Sequence, residues 1–153
     1  MALLLDSIFL PRGSTDEKKA EALEIIRERQ ALIEETGKYN PLLVFAEGIT
    51  TNNSALGKFK KGAFVSNKRC LPVIMNYEVG TVHPAYDTAP LFALAILQLS
   101  MTCMKVTITE LPEFEPTEYM YENFKEFGDE PWEIYAHCLR EAMCEAGGLD
   151  RCN

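Results

Sequence analysis

Short apolar runs alternate along the chain with charged segments that have helical spacing. The apolar runs are 4 to 8 residues long, the length of buried strands, and they predict strands at 3–10, 42–45, 70–77 and 105–110. Helices are predicted over three segments, from directly after Ser14 to about 36, over 90–104 and from about 131 to 147. Strands that alternate with helices indicate an α/β fold, a mostly parallel central sheet flanked by helices.

The ends of two predicted helices carry recognisable signals. Ser14, with Glu17 three residues later, predicts a capping box for the first helix, and Gly37 is a natural residue just past its end. Pro131 suits the first turn of the last helix because no backbone donor is lost there. That helix has an apolar stripe of Trp132, Tyr135, Ala136, Leu139 and Met143.

The first apolar run predicts a strand inside a sheet rather than at its edge. A domain seldom begins with a central strand directly after Met1, so we expect that further sequence lies upstream. The 153 residues would then be the C-terminal part of a single domain. The alternative is an edge strand at a true N-terminus.

Composition narrows the class of protein. Apolar residues make up 47% of the chain and charged residues 25%, which is enough for a packed core. The net charge of −8 argues against nucleic-acid binding, because such domains usually carry a basic excess. Five cysteines without a Cys-x-x-Cys pair, beside only two histidines, argue against a metal site or a disulfide framework and indicate a reducing compartment.

The segment 90–104 is rich in apolar residues but too short to cross a membrane, since a spanning helix needs about 20 residues. We therefore expect no transmembrane helix in this chain. A buried core helix is our interpretation of the segment, and a helix resting on a membrane surface is the alternative.

Charge is unevenly distributed. No Asp or Glu occurs over 48–77, although the chain has 23 of them. The same window holds five cations, Lys58, Lys60, Lys61, Lys68 and Arg69. A cationic region in an acidic protein suits an anionic ligand such as a phosphate or coenzyme A. The alternative is a solvated lysine-rich face, and the nearby Gly57 and Gly62 favour the ligand because small residues let backbone amides approach an anion.

Three other candidate residues follow predicted strands. Arg12 comes after the first and Glu47-Gly48 after the second. Ligands of parallel α/β sheets sit beyond the carboxyl ends of the strands. An arginine there can bind a phosphate through two donors, although each feature alone is also typical of an ordinary surface turn.

Together these segments resemble the glycerophospholipid acyltransferase family, which includes lysophosphatidic acid acyltransferase. Phe45 to Asn52 is similar to its Phe-Pro-Glu-Gly-Thr motif, and Phe59 to Phe64 is similar to the Phe-Lys-x-Gly-Ala/Ser-Phe segment of its lysophosphatidylcholine and glycerol-3-phosphate acyltransferase branch. Ile8 to Arg12 resembles the upstream block that ends in Arg, and Leu71 to Ile74 the Pro-Val block. The resemblance runs from about Ser7 to Gly147.

The chain departs from the family pattern in several places. Three motif positions differ: Ala46 replaces Pro, Ile49 replaces Thr, and Pro11 stands where a polar residue is common. The family's catalytic His-x-x-x-x-Asp motif is absent, because five residues after His83 and His137 come Thr88 and Ala142. We therefore assign no catalytic residue in this chain.

The resemblance implies transfer of a fatty acyl group from acyl-CoA, a co-substrate rather than a cofactor, to a lysophospholipid or glycerol phosphate. It also implies work at a membrane surface, most simply that of the endoplasmic reticulum, in phospholipid biosynthesis or remodelling. Turnover would need the missing N-terminal part. The residues expected to hold the acceptor are Arg12, Glu47, Gly48, Thr50, Lys60 and Gly62.

Two other hypotheses remain. The chain could be a non-catalytic remnant that binds phosphoanions or lipids. It could also be an interaction domain without a ligand, in which case Arg12, Glu47 and Lys60 would not converge in the fold.

Overall fold

The computed structural model describes residues 7–10, 15–48, 54–78, 90–100, 103 and 105–151. Helices and strands are mixed along the chain, as the sequence predicts. The helices are α1 (Asp16–Thr36), α2 (Leu91–Ser100), α3 (Glu118–Asn123) and α4 (Pro131–Gly147), with single 3-10 turns at Lys61–Ala63 and Lys125–Phe127. The strands are β1 (Ala55–Leu56), β2 (Val73–Glu78), β3 (Lys105–Glu110) and β4 (Asp150–Arg151).

The bounds of α1 and α4 confirm two predicted helices, and Pro131 lies in the first turn of α4 as predicted. The N-cap of α1 is Thr15, whose side chain makes no capping hydrogen bond, whereas Ser14, the N-cap of the predicted capping box, lies outside the described residues. At the other end Gly37 is left-handed, with φ 59°, and its N–H donates to the Ile33 carbonyl. A capping box occurs at the start of α4, between Glu130 and Glu133.

The core forms around α4. Its inner face buries Ile134, Tyr135, Leu139 and Met143, and Phe64 packs edge-on against the Tyr135 ring with 5.0 Å between ring centres. Phe114 stacks on the same ring at 5.8 Å. The phenolic oxygen of Tyr135 lies within hydrogen-bond distance of the Lys68 carbonyl, the Phe114 carbonyl and the Cys70 sulfur. One side chain therefore joins three segments, namely α4, residues 68–70 and the residues around Phe114, which makes α4 the organising helix.

Strand pairing is of two kinds. β2 and β3 form a six-residue antiparallel ladder, from Val73 opposite Glu110 to Glu78 opposite Lys105. β1 and β4 pair in parallel over two residues each. The helix between β2 and β3 led us to expect a parallel crossover, and for this pair that expectation is wrong. A crossover helix packs on its sheet, whereas α2 buries only Leu94 among its side chains that the structure describes. The mostly parallel central sheet remains a prediction.

Two predicted strands are absent where the structure describes their residues. Residues 42–45 have no regular structure, and Leu43 and Phe45 there are 76% and 70% exposed. A strand needs a hydrogen-bonded partner, and none pairs with this segment among the described residues. Of the predicted strand at 3–10, residues 7–10 are described and are irregular, and the others lie outside the described residues.

Four further predictions concern the helix and the strands in the middle of the chain. α2 confirms a helix within 90–104, and within the described ranges no helix is both long enough and apolar enough to cross a bilayer. The predicted strand at 105–110 is confirmed with its bounds as β3, and the one at 70–77 is confirmed over Val73–Glu78.

Candidate functional site

Glu47 lies in a tight turn where the second predicted strand would have ended. The Gly48 N–H donates to the Phe45 carbonyl across 3.1 Å, which closes a four-residue turn. Gly48 has a φ of 69°, a left-handed conformation that glycine adopts without strain. The Glu-Gly pair therefore has a conformational reason to stand here, apart from any ligand.

Two hydrogen bonds join this turn to the segment 57–60. The Lys60 N–H donates to the Ala46 carbonyl across 2.7 Å, and the Gly57 N–H donates to Oε1 of Glu47 across 2.6 Å. A Cβ on Gly48 would lie 3.3 Å from Cγ of Lys60, so the lysine's alkyl chain passes close over the turn. Ala46, Glu47, Gly48, Gly57 and Lys60 form one unit, called the Glu47 turn below.

The Glu47 carboxylate has a bracing contact in this unit. Its Oε1 accepts the Gly57 amide, and a Cβ on Gly57 would lie only 3.3 Å from that oxygen. A carboxylate repels a phosphate, whereas an ionised acceptor for a backbone N–H makes a short, strong hydrogen bond. The geometry therefore fits a Glu47 that shapes the loop better than a Glu47 that touches an anion.

The five cations of residues 48–77, the window without Asp or Glu, divide into two groups. Three are paired with carboxylates from other parts of the chain: Lys61 with Glu130 at 2.5 Å, Lys68 with Glu34 at 2.9 Å and Arg69 with Glu113 at 3.4 Å. Within the described ranges Lys58 and Lys60 make no ion pair, and both are exposed. Much of the charge segregation thus serves to tie the window to its acidic surroundings, and two lysines remain for a ligand.

Gly62 takes no part in the hydrogen bonds that the structure describes for the Glu47 turn. It belongs to the 3-10 turn Lys61–Ala63, and a Cβ there would lie 3.4 Å from Cδ1 of Ile26 on α1. Close packing against the helix accounts for a small residue at this position. The structure therefore brings together Glu47, Gly48 and Lys60 and places Gly62 against α1, while Arg12 and Thr50 lie outside the described residues and stay predictions.

Two other side chains with reactive groups, His137 and Cys70, are packed against neighbouring residues. The His137 ring stacks on Phe127 with 3.9 Å between ring centres, a structural contact, while His83 lies outside the described residues. Burial raises the pKa of the Cys70 thiol, and the hydrogen bond with Tyr135 lowers it by less. A protonated thiol is a weak nucleophile. Among the described residues no group of three or more His, Cys, Asp or Glu side chains could hold a metal ion.

Arg140 is a residue whose surroundings sequence reasoning missed. It is only 9% exposed, and its Nε and Nη2 donate to the Leu56 carbonyl at 3.2 and 2.9 Å. A charged residue four positions after Ala136 and three before Met143 lies beside the apolar stripe, and that position was the available signal. Its partner, a carbonyl remote in the sequence, could not be read from the pattern.

Known proteins with similar sequences indicate the family of the chain. Lysophosphatidylcholine acyltransferase 1 of Homo sapiens is 28% identical over 144 residues, which cover 93% of this chain and 25% of that protein. Lysophosphatidylcholine acyltransferase of Drosophila melanogaster is 30% identical over the same shares. The chain belongs to the glycerophospholipid acyltransferase family.

The family assignment confirms the resemblance drawn from the motifs. Lysophospholipid acyltransferase LPEAT1 of Arabidopsis thaliana is 31% identical over 108 residues, which cover 71% of this chain and 25% of that protein. The chain spans about a quarter of the length of these curated relatives. No family model matches the chain, and no solved structure matches it.

Proposed function

We propose that the chain is the acceptor-binding part of a lysophospholipid acyltransferase domain, in which the Glu47 turn and Lys60 hold the phosphate of a lysophospholipid or glycerol phosphate. The convergence of Glu47, Gly48 and Lys60 carries this proposal, because residues 12 to 13 positions apart in the sequence meet in one hydrogen-bonded unit. A ligand-free interaction domain predicts that Arg12, Glu47 and Lys60 do not converge; Glu47 and Lys60 do meet, while Arg12 lies outside the described residues.

The division of labour within the turn follows from charge. Glu47 fixes the loop through the Gly57 amide, and Gly48 leaves room for the alkyl chain of Lys60. The ammonium of Lys60 is then the group that meets the anion. Two unit charges about 4 Å apart in water attract each other by about 1 kcal/mol, so one exposed lysine is worth about a fivefold change in affinity.

Binding of glycerol 3-phosphate by isothermal titration calorimetry tests the site directly. We expect Lys60→Ala to weaken binding about fivefold. Lys68→Ala removes an equal charge that is already paired with Glu34, and it should leave the affinity unchanged. Equal affinities of wild type and Lys60→Ala, or equal losses in both variants, would remove Lys60 from the site. Uncharged glycerol, tested alongside, shows how much of the binding depends on the phosphate.

The acyl-transfer step is part of the same proposal, with acyl-CoA as the donor. The acceptor hydroxyl needs a general base to attack the thioester, and no His-x-x-x-x-Asp motif occurs in these 153 residues. Loss of a general base costs about 10²–10⁴-fold in rate. We therefore expect the chain alone to bind the acceptor without useful turnover. Robust acyl transfer from acyl-CoA to lysophospholipid by this chain would refute that expectation.

A membrane surface as the source of the acceptor completes the proposal, with the endoplasmic reticulum as the expected compartment. The exposed apolar side chains of α2 support it, since Phe92, Ile96 and Leu99 are 79%, 53% and 88% exposed. Apolar surface of this kind favours contact with lipid. Sedimentation with phosphatidylcholine vesicles checks this part, and a chain that stays entirely in the supernatant would argue against it.

A further inference from the structure

The peptide group between Leu56 and Gly57 is held at both ends by charged side chains. Its carbonyl oxygen accepts hydrogen bonds from Nε and Nη2 of Arg140, at 3.2 and 2.9 Å. Its N–H donates to Oε1 of Glu47 at 2.6 Å. Arg140 and Glu47 are 93 positions apart in the sequence, and this single peptide group connects them.

The orientation of that peptide group suits both charges. The positive end of its dipole, the N–H, points to the carboxylate, and the negative end, the carbonyl, points to the guanidinium. Hydrogen bonds to ionised groups are about twice as strong as neutral ones, and bonds in series polarise one another. The planar guanidinium reaches one oxygen with two donors, which a lysine cannot do. Since Arg140 is only 9% exposed, water screens this contact weakly.

The far end of the connection is the candidate acceptor site. Glu47 belongs to the turn whose Ala46 carbonyl accepts the Lys60 N–H, and Lys60 passes over Gly48. Arg140 lies on α4, whose inner face forms most of the core. The contacts thus run from the buried helix, through one peptide group, to an exposed loop.

We propose that Arg140 is a positioning residue for the acceptor site, which sets the Glu47 turn and therefore Lys60 by holding the Leu56–Gly57 peptide group. The inference rests on the proposed function, because it assigns Arg140 a role in phosphate binding without contact to the ligand. A merely structural arginine would stabilise α4 and β1 and leave the Glu47 turn unaffected.

The Gly57 amide proton reports the connection without any ligand. In a ¹H–¹⁵N NMR spectrum we expect it downfield, as a short bond to a carboxylate requires. Glu47→Gln and Arg140→Met should each move it upfield, and Arg140→Lys should give an intermediate shift. The matched control is Arg151→Met: Arg151 stands opposite Leu56 in the β1–β4 pairing, but its side chain pairs with Glu141 and is 62% exposed. An unchanged Gly57 shift in Arg140→Met and Arg140→Lys would overturn the proposal.

Glycerol 3-phosphate binding then tests the role in the site. We expect Arg140→Met to weaken binding about fivefold, as Lys60→Ala does, since both remove the same contact. The double variant should bind no more weakly than either single variant, because residues that act as one unit are not additive. Multiplied losses, about 25-fold in the double variant, would contradict the proposal. Arg140→Lys serves in place of Arg140→Met if the methionine variant does not fold by circular dichroism.

The two measurements separate the possible failures. If wild type does not bind glycerol 3-phosphate, the proposed function fails, and the Gly57 shift still decides whether Arg140 holds the turn. If wild type and Arg140→Met bind equally well, the acceptor site stands and the positioning role of Arg140 is wrong.

Discussion

Apolar residues are buried in the α4 core, whereas in two other elements, α2 and β3, they are mostly exposed. α4 buries seven side chains, from Ile134 to Cys144. α2 is more apolar along its sequence, and yet Leu94 is its one buried side chain among those described. All six residues of β3 are exposed, including Ile108 at 61%. Regular structure forms in both regions, but only one of them becomes a core.

The difference shows that the apolar pattern of a segment determines whether it forms a helix or a strand. Whether its side chains are buried depends on the segments that pack against it. β3 pairs along one edge with β2 over six residues, and of these two strands β2 reaches the core, through Ile74. A helix that is apolar on all sides usually lies inside a protein. Here Phe92 and Leu99 remain uncovered within the part of the chain that the structure describes. The α4 core should therefore respond strongly to substitution, and the α2 surface weakly.

Leu139→Ala should have the largest effect. Leu139 is 4% exposed in the centre of the α4 core, and removing a buried leucine side chain leaves a cavity that costs about 2–5 kcal/mol of unfolding free energy. Urea denaturation followed by circular dichroism measures the loss. A cost below about 1 kcal/mol would show that α4 is not the organising helix.

Tyr135→Phe should have the second-largest effect on the unfolding free energy. The ring stays in place between Phe64 and Phe114, but the hydroxyl that contacts Lys68, Cys70 and Phe114 is lost. Loss of a hydrogen bond of this kind costs about 0.5–1.5 kcal/mol of unfolding free energy, and the same denaturation experiment measures that cost.

Tyr119→Phe is the control for that substitution, because Tyr119 is 70% exposed and its hydroxyl can bond to water in either state. We expect a change within about 0.5 kcal/mol for the control. Equal effects of the two substitutions would mean that the Tyr135 hydroxyl does not join the three segments.

Much of the fold could be predicted where the signal is local. The bounds of β3 follow from its β-branched alternation, and α4 is bounded by Pro131 and Gly147 in the sequence as in the structure. Partners could not be predicted in the same way. The antiparallel pairing of β2 with β3, and the failure of 42–45 to become a strand, depend on contacts between remote segments.

The site shows the same limit at the level of single residues. Lys60 and Lys61 are adjacent and alike in sequence, but Lys61 pairs with Glu130 and lies 5.6 Å from the centre of the Trp132 ring, while Lys60 passes over Gly48. Motif resemblance identified Glu47, Gly48 and Lys60 as a group. It could not show that Glu47 braces the Gly57 amide or that Arg140 holds the same peptide group, because both contacts are long-range.

Leu99→Ala should have the smallest effect and is the sharpest test of the comparison. Leu99 is 88% exposed, so its truncation should change the unfolding free energy by no more than about 0.5 kcal/mol. Leu94→Ala makes the same chemical change in the same helix at a side chain that is 4% exposed, and it should cost about 2 kcal/mol or more. Helix propensity is matched between the two, so the difference measures burial alone. If both substitutions cost the same, α2 is covered in solution, and the contrast between α2 and the α4 core disappears.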